Sequence, residues 1–248
     1  MSSPVVFEVN GQEFFRPHVG KQLALLQQLT SRVRWGVGPS KVFVRGNRGS
    51  GKSVILRKGL LHALAMAVPG LRYGVIRRNM PDLTTNHLIY LQHEMTQLGG
   101  DYVGSPFPMC RYENGSLGFY RQCEDEADVE KIVGAELGVL LVDEAPQIQW
   151  DLLRTISPSI RVAKLRDGTV PFHTLEIYSG NPIGESIDEL DHYCFDRDVT
   201  PADDPEYDPA DWGCIETSSY ILSFGQGMRL NATVYNHTHN RKFGRIWR

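Results

Sequence analysis

Cysteine is scarce in this sequence and forms no recognisable motif. The 248 residues include four cysteines, and no two of them make a C-x-x-C pair: Cys110, Cys123, Cys194 and Cys214. Zinc sites and disulfide frameworks need cysteines at characteristic spacings. We therefore exclude a zinc-binding module and a disulfide-stabilised secreted domain, and we expect four buried free thiols.

Long apolar runs are also missing. No segment approaches the roughly 20 apolar residues that cross a bilayer as a helix, and residues 1–10 lack the charged start and apolar centre of a signal peptide. The sequence contains no internal repeats. These absences exclude a membrane-embedded protein and a repeat array, and they lead us to expect a cytoplasmic location without a membrane partner.

The composition is that of a globular protein with a basic N-terminal part. Hydrophobic residues make up 41% of the sequence and charged residues 22%, so disorder is not expected. The net charge is −3, but residues 1–80 hold 13 Lys/Arg against 2 Asp/Glu, and the remaining residues hold 13 against 27. Such a basic part suits nucleotides or nucleic acid, although ordinary solvated basic side chains would give the same counts.

Residues 41–67 predict a strand, a phosphate-binding loop and a helix. Residues 42–44 are an apolar strand-like run, and apolar residues recur at helical spacing from Val54 onwards. Without this strand and helix, the residues between them could be an ordinary glycine-rich turn. They form an octapeptide that fits the pattern G-x-x-x-x-G-K-[ST]: Gly46, Asn47, Arg48, Gly49, Ser50, Gly51, Lys52 and Ser53.

The fixed positions of this octapeptide have mechanical reasons. Its glycines let consecutive backbone N–H groups point inward at nucleotide phosphates, and the N-terminus of the following helix favours an anion. Lys52 supplies a positive charge for the β- and γ-phosphates, and the Ser53 hydroxyl is a hard oxygen ligand for Mg²⁺. The sequence therefore predicts that the protein binds ATP and Mg²⁺.

Residues 138–144 predict a second buried strand with two acids at its end. The four apolar residues 139–142 are typical of a strand buried on both faces, and Asp143 and Glu144 follow directly. Two adjacent acids in such a place are costly unless something uses them. Asp143 would hold Mg²⁺ opposite Ser53, and Glu144 would orient and deprotonate an attacking water molecule. The alternative is a coincidental apolar run that ends in Asp-Glu.

The remaining pattern alternates strands and helices, which predicts an α/β fold with a central, mostly parallel sheet flanked by helices. Residues 72–78 predict a strand with Arg77 and Arg78 at its carboxyl end, which is the functional edge if this strand is parallel to the first. The acidic residues 124–130 are interpreted as a helix N-terminus rather than a metal cluster. The other predicted elements are a short strand over 5–9 with a turn at 10–11, helices over 19–33, 82–98, 148–157 and 183–193, a hairpin over 109–121, a strand over 174–178, a loop over 196–212 and strands within 220–235.

Two further polar positions have both a functional and an ordinary interpretation. Gln22 lies near the start of the 19–33 helix, and its carboxamide could pair with an adenine edge or simply face solvent. Ser179, Gly180 and Asn181 follow the 174–178 strand, and they could sense the γ-phosphate or form a Gly-Asn-Pro turn.

The order and spacing of these motifs resemble the ATPase domain of the large terminase subunit of tailed bacteriophages, the motor that drives DNA into an empty capsid. The resemblance covers roughly residues 15–190 and is carried by the segments 46–53, 75–79, 140–145 and 179–182. It implies a P-loop NTPase fold of the additional-strand type. The implied domains are an ATPase core at 1–190, with an adenine-side segment at 1–40, and a small appended subdomain at 191–248.

The resemblance also implies roles for individual residues. Gln22 would contact adenine, Arg48 would contact phosphate or sense hydrolysis, and Ser179–Asn181 would form the coupling motif. The family uses an arginine supplied in trans by a neighbouring subunit of a ring. Candidates for this arginine are Arg154, Arg161, Arg77 and Arg78, of which the last two could instead contact DNA or nucleotide.

We therefore expect ATP hydrolysis that powers the translocation of double-stranded viral DNA into a capsid. The expected partners are the DNA backbone, a homo-oligomeric ring on the capsid portal and a small terminase subunit, in the bacterial host cytoplasm and transiently at the procapsid. Family members carry a C-terminal nuclease domain, and the residues after 200 are too few to hold one, so DNA cleavage is not expected of this chain.

Two alternatives belong to other classes. A helicase-like or recombination ATPase shares the same core but is disfavoured because no second helicase lobe fits in the remaining residues. A nucleotide-gated module that docks capsid or DNA-recognition partners would not be an enzyme, and the intact pair of Lys52 and Glu144 argues against it.

Overall fold

The computed structural model of the chain describes residues 7–18, 20–162, 171–200, 202–217 and 234–235. Strands alternate with helices along the central part of the chain, as the sequence predicts, and consecutive strands occur near both ends of the chain and over 101–122. The strands are β1 (Phe7–Val9), β2 (Gln12–Phe15), β3 (Lys41–Gly46), β4 (Arg72–Arg77), β5 (Asp101–Val103), β6 (Met109–Arg111), β7 (Leu117–Gln122), β8 (Val139–Asp143), β9 (Leu175–Gly180), β10 (Trp212–Thr217) and β11 (Val234–Tyr235).

The helices lie close to their predicted positions. The largest shift is in the last of them, which begins at Ile187 rather than at 183, because Gly184 has a φ of 157° and cannot continue a helix. Within the described ranges, no helix has the length and apolarity that a membrane crossing requires. The helices are α1 (Lys21–Trp35), α2 (52–67, with a wide π-type turn over Ile55–His62), α3 (80–98, with a π-type turn over Thr84–Leu88), α4 (Glu126–Ile132), α5 (Trp150–Ile156) and α6 (187–196, with a π-type turn over Asp191–Asp196).

Nine strands form one sheet in the order β11-β10-β3-β9-β8-β4-β7-β6-β5. The six strands from β10 to β7 in this order are parallel to their neighbours, and antiparallel pairs occur only at the two ends of the sheet. Strand β9 lies between β3 and β8. Strand β9 is therefore the additional strand that defines the predicted P-loop class. The predicted fold class is thus confirmed.

The central sheet extends beyond residue 190. Strand β10 pairs in parallel with β3, although the sequence analysis assigned its residues to the appended subdomain. The predicted loop over 196–212 begins at the last residue of α6 and ends at the first residue of β10. Between them, the described residues 197–200 and 202–211 form no helix or strand. Of the strands predicted within 220–235, only β11 falls in the described residues, and it pairs with β10.

Two apolar layers cover the sheet. Side chains alternate across each strand, so Val42 and Val44 of β3 pack on one face and Phe43 packs on the other. Helices α1, α2 and α3 cover the first face, and α4, α5 and α6 cover the second. Burial on both faces explains why the central strands are continuous apolar runs.

The four cysteines are free and buried, as expected. Burial raises the pKa of Cys110, Cys123 and Cys214 to about 12 and also raises the pKa of Cys194. These thiols are therefore protonated, inert members of the core.

A buried ion pair joins α2 to α3. The Arg57 guanidinium donates to both carboxylate oxygens of Glu94, at 2.9 and 3.0 Å, and His62 contacts the same carboxylate at 3.1 Å. Burial by itself would raise the pKa of Glu94, but the hydrogen bonds from His62 and Arg57 outweigh burial and lower it to about 2. This ion pair therefore links α2, the helix that follows the phosphate loop, to α3.

Replacing Glu94 with Gln should lower the free energy of unfolding at neutral pH by about 3 kcal/mol, because Arg57 stays buried without an ionised partner. The pKa of Glu94 is lowered from 4.5 to about 2, so its carboxylate adds stability that is present above the upper value and is lost as the pH falls towards the lower one. Urea unfolding measured at several pH values in this range should show that the difference in the free energy of unfolding between wild type and Glu94→Gln becomes smaller as the pH falls.

The exposed Glu130 lies on α4 and provides a matched control. The Glu130→Gln variant should follow the wild-type pH profile. A difference between wild type and Glu94→Gln that stays constant as the pH falls would contradict the assignment of this stability to the Glu94 carboxylate.

Candidate active site

The predicted functional segments meet at one edge of the sheet. Strands β3, β9, β8 and β4 are parallel, so their carboxyl ends lie side by side. These ends deliver the loop 46–53, the segment 179–181, the two acids Asp143 and Glu144, and Arg77. Segments about ninety residues apart along the chain are thereby brought into contact, with the Ser53 hydroxyl 3.1 Å from an Asp143 carboxylate oxygen.

The loop between β3 and α2, residues 46–53, is called the phosphate loop after its predicted ligand, and its glycines shape its backbone. Gly49 and Gly51 have φ angles of 78° and 76°, which favour glycine, and α2 begins at Lys52 directly after them. Gly46 is needed for another reason: a side chain there would collide with the backbone of Thr217 on the neighbouring strand. Arg48 lies at the exposed part of the loop, as Asn47 and Gly49 do.

The Lys52 ammonium is buried beneath this loop. It donates to the carbonyl oxygens of Gly46 and Asn47 at 2.7 and 3.1 Å, and it lies 3.4 Å from the side-chain oxygens of Ser50 and Asn181. Burial lowers the pKa of Lys52, and the charges of Glu144 and Asp143 oppose that effect. The ammonium therefore links the phosphate loop to the segment that follows β9.

Asp143 is the most densely contacted acid of the site. Its Oδ1 accepts hydrogen bonds from Ser53 at 3.1 Å and from Ser179 at 2.7 Å. Its Oδ2 lies 3.0 Å from Nε2 of His87 and 3.5 Å from the Arg77 guanidinium. Burial favours the protonated acid, but the hydrogen bond and charge of His87, then Arg77 and Ser179, lower the pKa of Asp143 well below its usual range. The carboxylate is therefore ionised although it is buried.

Strand register explains the contact between Asp143 and Ser179. These residues are directly paired across β8 and β9, so their side chains stand next to each other at the sheet edge. Ser179 and Gly180 belong to β9 itself. The strand predicted over 174–178 therefore continues to Gly180.

Glu144 and Asn181 form a second polar pair beside the first. The backbone N–H and the side-chain amide of Asn181 lie 3.4 Å from Glu144 Oε2. Glu144 has a φ of 55°, a left-handed conformation that costs a residue with a side chain on the order of 1 kcal/mol. This backbone conformation turns the chain sharply after β8 and leaves the carboxylate half-buried at the sheet edge.

The donors at this edge suit Mg²⁺ in the company of phosphates. The Ser53 hydroxyl and the Asp143 carboxylate are hard oxygen ligands that already lie within hydrogen-bond distance. Among the described residues, no group of three or more His, Cys, Asp or Glu side chains is placed to hold a metal ion. Two protein oxygens fit a Mg²⁺ ion that obtains its other ligands from phosphate and water.

Gln22 lies beside the phosphate loop. Its Oε1 accepts a hydrogen bond from the backbone of His18 at 2.8 Å, and a Cβ atom built on Gly51 would lie 3.7 Å from its Nε2. The carboxamide is therefore held next to the loop, with its amino group towards it, rather than extended into solvent.

Three of the four candidate arginines have acidic partners within this chain. Arg77 lies at Asp143, Arg154 lies 3.7 Å from Asp204, and Arg161 lies 3.2 Å from Glu136. Arg78 is exposed directly after β4. The guanidinium of Arg77 thus belongs to the site of its own chain.

Sequence reasoning missed two contacts of the site. His87 is buried in α3 and carries no motif, so no pattern connects it with Asp143. Thr217 ends β10, and its hydroxyl lies 3.4 Å from the Ser50 hydroxyl in the phosphate loop. Parallel pairing of β10 with β3 causes this proximity, and no local sequence pattern indicates that pairing.

Comparison with known sequences gave no match. No protein-family model matches the chain, and no curated protein sequence is similar to it.

Solved structures show a clear likeness in fold. The large terminase from a thermophilic bacteriophage superposes with a TM-score of 0.56 and 14% identity over 82% of this chain and 46% of that one. The same terminase in complex with ATP-γ-S gives 0.54 and 13% over 81% and 45%. The large terminase ATPase domain of Thermus phage P74-26 gives 0.51 and 15% over 82% and 81%. This chain thus has the fold of these ATPase domains and spans less than half the length of the full large terminase.

Proposed function

We propose that this chain hydrolyses ATP and that hydrolysis moves double-stranded DNA into a phage capsid. One observation carries the proposal. The phosphate loop, the two acids and the polar end of β9 are joined by direct contacts at a single sheet edge, through Ser53, Asp143, Ser179 and Lys52. Ligands of open α/β sheets bind at this carboxyl edge.

The residues of the site would divide the chemistry between them. Lys52 would exchange its loop carbonyls for the β- and γ-phosphate oxygens and offset the charge that develops on them. Glu144, held by Asn181, would orient a water molecule and accept its proton as the oxygen attacks the γ-phosphorus. The bond from phosphorus to the ADP oxygen then breaks. Mg²⁺, held by Ser53 and Asp143, would neutralise phosphate charge when bound.

Other residues would bind and report on the nucleotide. Gln22 would contact the adenine through its amino group, since its carbonyl oxygen is already engaged by His18. Arg48 would reach phosphate from the exposed part of the loop. Ser179, Gly180 and Asn181 would couple the state of the γ-phosphate to β9, because Asn181 touches both Lys52 and Glu144.

The likeness to phage large terminase ATPase domains supports DNA translocation as the work that hydrolysis performs. The partners proposed are the DNA backbone, further copies of this chain in a ring on a capsid portal, and a small terminase subunit. An arginine from a neighbouring copy would complete the site, and Arg78 remains a candidate since the other three candidates pair within their own chain. The proposed location is the bacterial host cytoplasm.

Duplex DNA should bind with a steep dependence on salt and little dependence on sequence. A packaging motor must accept any sequence, so it should contact phosphates rather than base edges. About six phosphate contacts would reduce affinity by about 10³-fold between roughly 50 and 200 mM salt. Fluorescence anisotropy with two duplexes of unrelated sequence measures both properties, and phosphate release from ATP measured with and without the duplexes tests the coupling.

Two outcomes would contradict this DNA-binding proposal. A flat salt dependence would mean that phosphates are not the ligand. A strong preference for one duplex would favour a recognition module over a motor.

A further inference from the structure

His87 lies behind the carboxylate that faces the phosphate loop. It sits in the π-type turn of α3 and is fully buried. Its Nε2 is 3.0 Å from Oδ2 of Asp143, on the carboxylate oxygen that does not contact Ser179. The imidazole therefore holds one oxygen of Asp143, and the Ser179 hydroxyl holds the other.

The contacts of the ring define which nitrogen carries the proton. An ionised carboxylate only accepts hydrogen bonds, so the Nε2 of His87 must be the donor. The other ring nitrogen, Nδ1, is buried and has no hydrogen-bond partner within the described part of the chain. Among the contacts of the described residues, the ring is therefore held to Asp143 through Nε2 alone.

Helix α3 is itself fastened to the phosphate-loop helix. Arg57 of α2 donates to the backbone carbonyl of Asn86 at 2.8 Å, one residue before His87, and its other nitrogens bind Glu94 farther along α3. Asp143 is thus held to α2 directly, through Ser53, and indirectly, through His87 and Arg57. This closed loop of contacts surrounds the proposed metal side of the site.

We propose that His87 is a positioning residue that orients Asp143 for the divalent cation of the nucleotide complex. This inference rests on the proposed nucleotide-binding function. Groups that hydrogen-bond to a metal-binding carboxylate limit its rotation, and their loss commonly reduces metal affinity about 10- to 100-fold. His87 should therefore affect binding of the metal and leave binding of the phosphates by the loop unchanged.

Three variants of His87 separate positioning from mere filling of space. The amino group of Gln reaches about as far as Nε2 of histidine, whereas that of Asn reaches about as far as Nδ1, which has no partner here. His87→Gln should keep most of the wild-type metal affinity, whereas His87→Asn and His87→Ala should lose much of it. His93 is exposed on the same helix, so His93→Ala is the matched control.

Binding of Mn²⁺ in the presence of ADP, followed by electron paramagnetic resonance, measures metal affinity without turnover. We expect about a 10- to 100-fold loss for His87→Ala and His87→Asn, a smaller loss for His87→Gln and none for His93→Ala. Calorimetry with ADP in excess EDTA should give affinities within about twofold of wild type for all variants. Thermal unfolding establishes which variants are folded.

Several results would overturn the inference. Equal Mn²⁺ affinity in wild type and His87→Ala would show that the imidazole does not position the carboxylate. Equal losses with and without metal, or equal losses for Gln and Asn, would show only a packing role. If wild type binds no nucleotide under either condition, the proposed function itself fails and this role fails with it.

A measurement on the wild-type protein does not depend on any His87 variant folding. Nitrogen-15 spectra of the histidine side chains should show a ring with a protected proton on Nε2 whose signals move in Asp143→Asn. If the ring that responds to Asp143→Asn carries a proton on Nδ1 and none on Nε2, the inference is overturned even if nucleotide binding is normal.

Discussion

Glu144→Gln is expected to abolish ATP turnover and to leave ATP binding intact. The carboxamide has the shape of the carboxylate but cannot accept a proton from the attacking water at neutral pH. General-base catalysis is worth about 10²- to 10⁴-fold in rate, so kcat should fall by at least about 100-fold. The affinity of the variant for ATP should stay within about threefold of the wild-type value. The phosphates would be held by the loop and by Lys52, and the substitution changes neither of them.

The contacts of Glu144 make this substitution a clean one. Asn181 approaches the carboxylate with its backbone and side-chain N–H groups at 3.4 and 3.5 Å, and a Gln side-chain oxygen can accept from the same donors. Phosphate release and ATP calorimetry measure the two quantities. Glu185, four residues after Asn181, is exposed, so Glu185→Gln should behave as wild type. Full turnover in Glu144→Gln would remove this residue from the mechanism.

Lys52→Ala is expected to lose nucleotide affinity rather than catalysis alone. A hydrogen bond to a charged group contributes about 1.5–3 kcal/mol, which corresponds to about a 10- to 100-fold weaker Kd for ATP. The loss should be larger for ATP than for AMP, because AMP has no β- or γ-phosphate for the ammonium to meet. Calorimetry with both nucleotides measures this difference directly.

Lys58 provides the matched control for Lys52. It lies on the same helix α2, and its ammonium is over the Phe14 ring at 4.3 Å rather than in the loop. Lys58→Ala removes the same charge from the same helix and should leave both affinities within about twofold of wild type. Unchanged ATP binding in Lys52→Ala would contradict the assignment of residues 46–53 as the nucleotide site.

Local pattern was sufficient for the central elements of the fold. Residues 42–44 and 139–142 are continuous apolar runs because both faces of a parallel sheet are covered, and each of them is a central strand. The octapeptide required a strand before it and a helix after it, and both are present. Glycine positions were also predictable, although Gly46 is required by its approach to Thr217 and not by its φ angle.

Element ends and the outer strands of the sheet were less predictable. Strand β5 has three residues and was not predicted, and β10 was assigned to a separate subdomain. Strands of this kind obtain much of their stability from pairing with a neighbour, which a local pattern of residues does not reveal. Ser179 and Gly180 likewise extend β9 because they pair with Asp143 and with Arg45 on either side.

The sequence by itself determined which residues are candidates for a triphosphate site, because the spacing G-x-x-x-x-G-K-[ST] and a buried run ending in Asp-Glu are local properties of the chain. Only the tertiary structure decided how these residues are held. Arg77 serves its own chain's Asp143, and His87 comes from a helix without any motif, because contacts across a sheet edge join residues that are distant in sequence. Residue type and spacing therefore indicated the candidate groups, whereas the orientation of these groups depends on strand order and register.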